Sequence, residues 1–258
     1  MDEPILVEEQ RGHVLLLRMN RPEARNALSP ELIAALGGGL QRAEADPGIR
    51  CVVLTGTGDR AFCAGMDLKA FGEGRRPSED DAARSATFMA FSRGETAIPV
   101  VGAANATAVG GGFELLLACD VVVASEGARF GLPEVKRGLF AGGGGVLLGS
   151  RLPLAVALEL TLTGEPIDAA RAYDLGLVNR VVPAGDVLDE AVAMAELIAR
   201  NGPLALEVTR RIVRTSAEDM ARARALITEW QPKVWASEDA KEGAAAFIER
   251  RDPVWSGR

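Results

Sequence analysis

The stretch "NATAVGGGFELLLACD", residues 105–120, runs three consecutive glycines, Gly110 to Gly112, into an apolar helix that carries one carboxylate, Glu114. Because glycine costs a helix about 1 kcal/mol relative to alanine, this run predicts a place where the chain needs bare backbone. The first amides of a helix have no intrahelical acceptor and lie at the positive end of its dipole. We therefore expect an anion-binding site where this helix begins.

Two kinds of anion could bind at such a site: a phosphate, or an oxyanion that forms during a reaction. The phosphate signal is weak, since the glycines are not followed by lysine and a hydroxyl residue. Gly111 and Glu114 are three residues apart, which places the carboxylate on the face of the Gly111 amide, one turn along. The alternatives are tight packing of helix on strand for the glycines and a dipole contact for Glu114.

A second stretch, "DRAFCAGMDLKAF" (residues 59–71), follows an apparent strand and leads into a short helical start. Gly65 can adopt backbone angles that aim the next amide, that of Met66, inward. Asp67 would then stand at a helix start. Two amides from two separate loops are the usual composition of an oxyanion hole, so this loop is the expected partner of Gly111.

A third stretch, "RFGLPEVKRGLFAGGGG" (residues 129–145), places Glu134 directly after Pro133. Two glutamates that flank one substrate can divide the acid and base roles through their different environments. Alone, Glu134 would be interpreted as a solvated glutamate in a first helical turn. In the company of the other two motifs, a catalytic role is favoured.

Composition excludes several other classes of protein. The chain has 258 residues, a net charge of −7 and no basic block or zinc-ligand spacing, which argues against a nucleic-acid role. Its N-terminus lacks the pattern of a signal peptide, and no run of about 20 apolar residues predicts a membrane span. We expect a cytoplasmic protein. With His13 as the single histidine, acid–base chemistry falls to carboxylates, and no metal site is expected.

Cysteine usage agrees with that compartment. The three cysteines, Cys51, Cys63 and Cys119, are an odd number in apolar surroundings. We expect them to be free, buried, structural thiols in a reducing cytoplasm.

Short β-rich runs alternate with helical patterns, which predicts an α/β fold with a parallel sheet. The runs are 13–19, 51–56, 99–103, 120–125 and 178–182. Ser29 and Pro30 predict the start of a helix over 29–46, although Gly37 to Gly39 weaken that prediction. After about residue 185 the pattern is helical. We therefore divide the chain into a core, 1–195, and a helical C-terminal region, 196–258.

Taken together, these stretches resemble the enoyl-CoA hydratase/isomerase family, also called the crotonase family. "AFCAGMDL" is similar to its first oxyanion loop, "GGGFELLLACD" to its second, and "GLPEVKRG" to its second-glutamate segment. The similarity runs from "RPEARNALS" (21–29) to "EGAAAFIERR" (242–251), nearly the whole chain.

The resemblance implies a spiral of ββα repeats with a C-terminal helical trimerisation region, active as a homotrimer or dimer of trimers. It also implies an acyl-CoA substrate, no metal or redox cofactor, and no nucleic-acid or membrane partner. The matched catalytic groups are Glu114 and Glu134, with the backbone N–H groups of Met66 and Gly111 as the oxyanion hole. The matched substrate- and CoA-binding positions are Ala24, Arg25, Ala61, Ala64, Gly65, Asp67, Leu68, Lys69, Gly110, Phe247 and Arg250.

One segment departs from the hydratase pattern. Where the family commonly has a proline before a glycine pair, this chain has "GLFAGGGG", with Ala141 in the place of the proline and four glycines after it. In the family this loop borders the acyl pocket. The two glutamates favour an enoyl-CoA hydratase of fatty-acid or related acyl-CoA breakdown. The alternatives are a Δ3,Δ2-enoyl-CoA isomerase or a carnitinyl-CoA-type dehydratase, and a non-catalytic acyl-CoA-binding protein.

Overall fold

The structure is a computed structural model that describes residues 3–75 and 78–258, apart from the side chains of Phe71, Val146, Leu147, Glu218, Met220, Ala223 and Phe247. Its strands are β1 (Leu6–Arg11), β2 (Val14–Met19), β3 (Cys51–Gly56), β4 (Val100–Ala104), β5 (Ala108–Val109), β6 (Val121–Ser125), β7 (Arg129–Gly131), β8 (Ile167–Asp168) and β9 (Arg180–Val182). Its α-helices are α1 (Pro30–Ala45), α2 (Leu68–Gly72), α3 (Ala82–Ser92), α4 (Gly111–Ala118), α5 (Leu154–Thr163), α6 (Ala169–Asp174), α7 (Val187–Ala199), α8 (Pro203–Glu218), α9 (Met220–Ala236) and α10 (Glu238–Glu249).

The larger sheet of the described residues has the order β1-β2-β3-β4-β6-β9. From β2 to β9 every pairing is parallel, as the alternation of strands and helices predicts. Both faces of these strands are apolar because both are covered. On β2, for example, Leu15 and Leu17 join one core cluster, while Val14 and Leu16 join the other.

The smaller sheet, of order β5-β7-β8, closes the spiral. Cys63 also bridges Ala108 of β5 in parallel, so the first oxyanion loop runs along this sheet. The chain thus passes from β4 through β5 into α4, and from β6 through β7 into the 3₁₀ helix Pro133–Arg137. The carboxyl ends of β3, β4 and β6 lead into the three stretches singled out above, and the predicted fold class is confirmed.

Helix α1 begins as predicted, with Pro30 in its first turn and the Ser29 hydroxyl accepting from the Leu32 amide. Its glycines have a packing reason that the sequence alone does not reveal. A Cβ built on Gly37 would collide with the Arg84 carbonyl of α3, so bare backbone lets the two helices approach closely.

Helix α7 lies on the other face of the large sheet, where Ala191, Ala195 and Ala199 are buried. The boundary drawn at residue 195 therefore falls within α7, and α8 is the first helix beyond it. Helix α8 packs on α9 and α9 on α10. The division into two domains stays a prediction. Among the described residues, none of the helices has the length and apolar character that crossing a membrane requires.

Candidate active site

The glycine run begins α4 as predicted, and Gly110 and Gly112 each have a steric reason. Gly110 is the N-cap, with φ 57° and ψ −134°, a left-handed conformation that favours glycine. A Cβ on Gly112 would collide with the Cys63 carbonyl. Gly111 is the first helical residue. Close packing and an open helix start therefore both apply here, rather than one excluding the other.

The second loop meets this helix start at Gly65, whose φ is 85°. The Leu28 amide donates to the Gly65 oxygen (2.8 Å) and the Asp67 amide donates to the Leu28 oxygen (3.1 Å). This bridge leaves the Met66 N–H unused. A Cβ on Gly65 would lie 3.0 Å from the Gly111 nitrogen, and one on Gly111 would lie 3.7 Å from the Met66 nitrogen.

The two amides expected to face an oxyanion are therefore neighbours. In the part of the chain that the structure describes, neither the Met66 N–H nor the Gly111 N–H has a protein acceptor. Both are main-chain donors on rigid elements, one beside a bridge and one at a helix N-terminus, where the dipole favours negative charge. The arrangement suits an oxygen that gains charge during a reaction.

Glu114 projects from the first turn of α4 and is buried, with 8% of its surface exposed. The Gly145 amide donates to its Oε1 (2.9 Å), and a Cβ on Gly143 would lie 2.6 Å from its Oε2. Desolvation raises the pKa of Glu114 above its ordinary value. The Gly145 amide opposes this rise in pKa, and the nearby Glu134 charge adds to it.

Glu134 lies in a 3₁₀ helix, Pro133–Arg137, and is half-buried. A Cβ on Gly110 would lie 3.1 Å from its Oε1, which places the carboxylate beside the start of α4. Its Oε2 is buried and has no hydrogen-bond partner among the described residues. Desolvation raises the pKa of Glu134, while a hydrogen bond from its own backbone and the charge of Arg137 oppose the rise. The structure thus brings the two predicted glutamates to one place.

Two residues that support the first loop were missed from the sequence. Asn26 is fully buried, and its Nδ2 donates to the carbonyls of Thr57 and Ala61, both at 3.0 Å. Arg21 pairs with Asp67 (3.1 Å), whose other carboxylate oxygen accepts from the Ala70 amide. Both lie in "RPEARN", a segment that the sequence analysis connected only with the substrate.

The remaining predicted contact positions fall into two groups. The Ala64 amide donates to the Arg25 oxygen (3.0 Å), so the segments around Ala24 and Ala64 adjoin. Leu68 and Lys69 are exposed at the start of α2. In contrast, Arg250 is exposed just after α10, and no hydrogen bond or ion pair among the described residues joins it to these loops. Phe247 lies in α10, but its side chain is outside the described part.

Comparison with known proteins identifies the family of this chain. The model of the family described as Enoyl-CoA hydratase/isomerase matches residues 9–258. Enoyl-CoA hydratase EchA19 of Mycobacterium tuberculosis is 40% identical over 99% of this chain and 97% of its own. Carnitinyl-CoA dehydratase of Proteus mirabilis is 40% identical over 96% of this chain and 97% of its own. The crystal structure of enoyl-CoA hydratase EchA1 from Mycobacterium marinum superposes with a TM-score of 0.89 at 43% identity, covering 99% of this chain and 100% of that one.

Proposed function

This chain belongs to the enoyl-CoA hydratase/isomerase family, and from that premise we propose that it is an enoyl-CoA hydratase. It adds water across the 2,3 double bond of a 2-enoyl-CoA and forms a 3-hydroxyacyl-CoA. One observation supports this function best. Glu114 and Glu134, two carboxylates with raised pKa values, lie together beside two backbone amides that have no acceptor in the described structure.

The two amides serve the charge that hydration creates. When water adds at C3, electron density moves from the double bond to the thioester oxygen, which becomes an enolate oxygen. The N–H groups of Met66 and Gly111 hold that oxygen. Losing one such donor costs on the order of 3 kcal/mol in other enzymes, so the pair supplies a substantial part of the rate.

Hydrogen bonding distinguishes the two glutamates, and it supports the roles that we propose for them. Glu114 accepts a hydrogen bond from the Gly145 amide, which favours its ionised form, so it is the base that takes a proton from the attacking water. Glu134 has a buried oxygen without a donor in the described part of the chain, which favours its protonated form, so it is the acid. As the water oxygen bonds to C3, Glu134 delivers its proton to C2 and the enolate returns to a thioester.

We also propose a pathway, a compartment, a cofactor requirement and an oligomeric state for this protein. The substrate is an acyl-CoA of fatty-acid breakdown (β-oxidation) or a related pathway in the cytoplasm. The reaction requires no metal or redox cofactor, because the charge is held by backbone and the protons by carboxylates. The protein assembles as a trimer or a dimer of trimers through its C-terminal helices.

A second candidate is a carnitinyl-CoA-type dehydratase, because relatives of that name are 38–40% identical to this chain. That reaction needs the same two carboxylates. Comparing turnover of carnitinyl-CoA with turnover of unsubstituted enoyl-CoAs separates the two. A Δ3,Δ2-isomerase would instead yield a shifted double bond without water-derived oxygen, and a binding protein would return every CoA thioester unchanged.

The test is the loss of enoyl-thioester absorbance with crotonyl-, longer-chain and bulky enoyl-CoAs. We expect Glu114→Gln and Glu134→Gln each to lower turnover by about 10²–10⁴-fold, the usual contribution of a general acid or base. Binding of a saturated acyl-CoA should change little. The hydratase is ruled out if soluble parent protein turns over none of these substrates. If only Glu114→Gln is inactive, a one-base isomerisation replaces the proposal.

A further inference from the structure

The end of α4 opposite the proposed oxyanion hole is unusually well supplied with donors. The last four carbonyls of an α-helix, here those of Leu115 to Ala118, have no intrahelical donor. The Cys119 amide is shared between the Leu115 and Leu116 oxygens (3.2 Å each). Arg151 Nη1 donates to the Leu117 oxygen (2.8 Å) and Arg214 Nη2 donates to the Ala118 oxygen (2.6 Å).

The two ends of α4 therefore differ in whether their backbone groups have hydrogen-bond partners. At its start, the amides of Gly111 and Gly112 have no acceptor among the described residues. At its end, each of the last four carbonyls has a donor, and cations supply the donors of two of them. A helix carries about half a positive charge at its start and half a negative charge at its end. The guanidinium groups of Arg151 and Arg214 neutralise the negative end.

That neutralisation matters because α4 is short. Its eight residues place the negative end only about 12 Å from the free amides. Left alone, the negative end would oppose the stabilisation of an anion at the start, since few solvent molecules reach the buried helix to screen it. A cation bound to the terminal carbonyls neutralises the negative end of the helix. The positive end then stabilises an anion at the helix start without that counteracting charge.

Arg214 is held by a built cluster, whereas Arg151 is exposed and is held by its bond to the Leu117 carbonyl. Asp120 accepts from Arg210 Nε (2.8 Å) and from Arg214 Nη2 (2.7 Å), and also from the Val100 amide of β4 (2.9 Å). Arg210 and Arg214 are one turn apart on α8, and their side chains are 9% and 31% exposed. Two guanidinium groups thus hold one carboxylate, and Arg151 adds a third positive charge close to Arg214 and Asp120.

Arg151 has a second structural connection. It follows the 3₁₀ helix Gly145–Ser150, whose first amide holds the Glu114 carboxylate. This segment therefore runs along α4, bound to Glu114 near one end and to the Leu117 carbonyl at the other. Among the described residues, Arg151 forms no ion pair with Asp120, so its loss leaves no carboxylate without a cation.

We propose that Arg151 and Arg214 are positioning residues for catalysis, which strengthen the oxyanion hole at the start of α4 by neutralising the negative pole at its end. The inference rests on the proposed hydratase function. Neither arginine touches the reacting atoms. Their effect reaches the enolate oxygen through the field and the fixed placement of α4.

The test uses the full-length protein and acetoacetyl-CoA, whose bound enolate absorbs in the near ultraviolet. Arg151→Gln and Arg214→Gln remove the cation and keep an amide donor. We expect each to lower the enolate-to-keto ratio of the bound probe, and kcat with crotonyl-CoA, about three- to tenfold, with KM little changed. Arg214→Lys keeps the charge and should stay within about twofold of the parent.

The matched control is Arg129→Gln, which loses the same charge and one bond to a backbone carbonyl, that of Pro166 (3.3 Å), outside α4. It should match the parent. Enolate ratios of folded Arg151→Gln and Arg214→Gln equal to that of Arg129→Gln would overturn the inference. Should Arg214→Gln fail to fold, Arg151→Gln decides alone, since it disturbs no ion pair. Absence of bound enolate in the parent would overturn the proposed oxyanion hole itself, and this inference with it.

Discussion

Glu134 holds a buried carboxylate oxygen that no donor among the described residues satisfies, and this makes its ionised form costly in the folded protein. A carboxyl group whose pKa is raised by folding stabilises the protein below its unfolded pKa. That contribution is lost as the pH rises through the folded pKa. The ordinary value is 4.5, so the window starts there and extends upward.

We therefore expect Glu134→Gln to match the parent in thermal stability near pH 4 and to become the more stable of the two as the pH rises. Thermal unfolding across this range measures the difference. Glu165→Gln is the control of opposite sign, because the hydrogen bond from Lys136 lowers the pKa of Glu165. Relative to the parent, that variant should lose stability as the pH rises toward 4.5, and the difference should stay constant above that pH, so the measurements begin below pH 4. A flat difference for Glu134→Gln would contradict the raised pKa.

A second residue-scale prediction concerns the space around Glu114. A Cβ on Gly143 would lie 2.6 Å from Glu114 Oε2, closer than side chains approach, whereas one on Gly142 would lie 3.4 Å from the Phe140 ring, an ordinary contact. We expect Gly143→Ala to displace the carboxylate and lower kcat about 10- to 100-fold, since misplacement of about 1 Å can cost that much. Gly142→Ala should retain near-parent kcat. Equal rates for the two variants would show that the carboxylate tolerates movement.

At the scale of helices, the contact of α1 with α3 depends on one glycine of three. A Cβ on Gly37 would collide with the Arg84 carbonyl, while one on Gly38 would meet only the Arg84 side chain at 3.5 Å. Gly37→Ala should cost about 1–3 kcal/mol in the free energy of unfolding through overpacking. Gly38→Ala should gain about 0.5–1 kcal/mol, because alanine restricts the unfolded chain. Denaturant unfolding of both variants checks the pair, and a gain at Gly37 would contradict the close packing.

The elements that sequence reasoning found are those with a strong local pattern. The run "CVVLTG" is buried along its whole length and forms β3 with the predicted bounds. Strand β1 was missed because it is an edge strand whose middle residues, Glu8 to Gln10, are exposed and polar. Strands β5 and β8 have two residues each, too few for any periodicity to show.

Some relations between residues of the site can likewise be predicted from the sequence, and others cannot. Glu114 and Gly111 are three residues apart on one helix, so their relation can be predicted from spacing alone. Glu134 could be proposed as a partner, but its approach to Gly110 depends on how the small sheet turns the chain back. The contacts of Asn26 with Ala61 and of Arg214 with Ala118 span 35 and 96 residues. Neither has a local signal in the sequence.

At the scale of the whole molecule, the C-terminal region carries exposed apolar side chains on α9, on α10 and in the segment after α10. Trp235, Ile248 and Val254 are 72%, 78% and 77% exposed. Isolated apolar residues are normal on surfaces, but large ones gathered on one helical region indicate an interface. We expect the mass in solution to be three or six times the 27.2 kDa of one chain.

Light scattering of the parent and of Trp235→Glu checks this prediction, and the variant should shift toward smaller species. Gln231→Glu adds the same charge on α9 without removing an apolar side chain, and should leave the mass unchanged. A parent protein that stays at the mass of one chain over a wide concentration range would contradict the expected trimer.

The two free amides at the site belong to the main chain, and this affects how the protein can evolve. A point mutation at residue 66 replaces a side chain that is 42% exposed, yet every residue except proline brings the same N–H. The vulnerable codons are instead those of Gly65 and Gly112, where a Cβ would press on the neighbouring loop. Residue 66 can therefore change under selection for new substrates without loss of its N–H group. The position of that N–H group depends instead on neighbouring glycines, which are not themselves donors to the oxyanion.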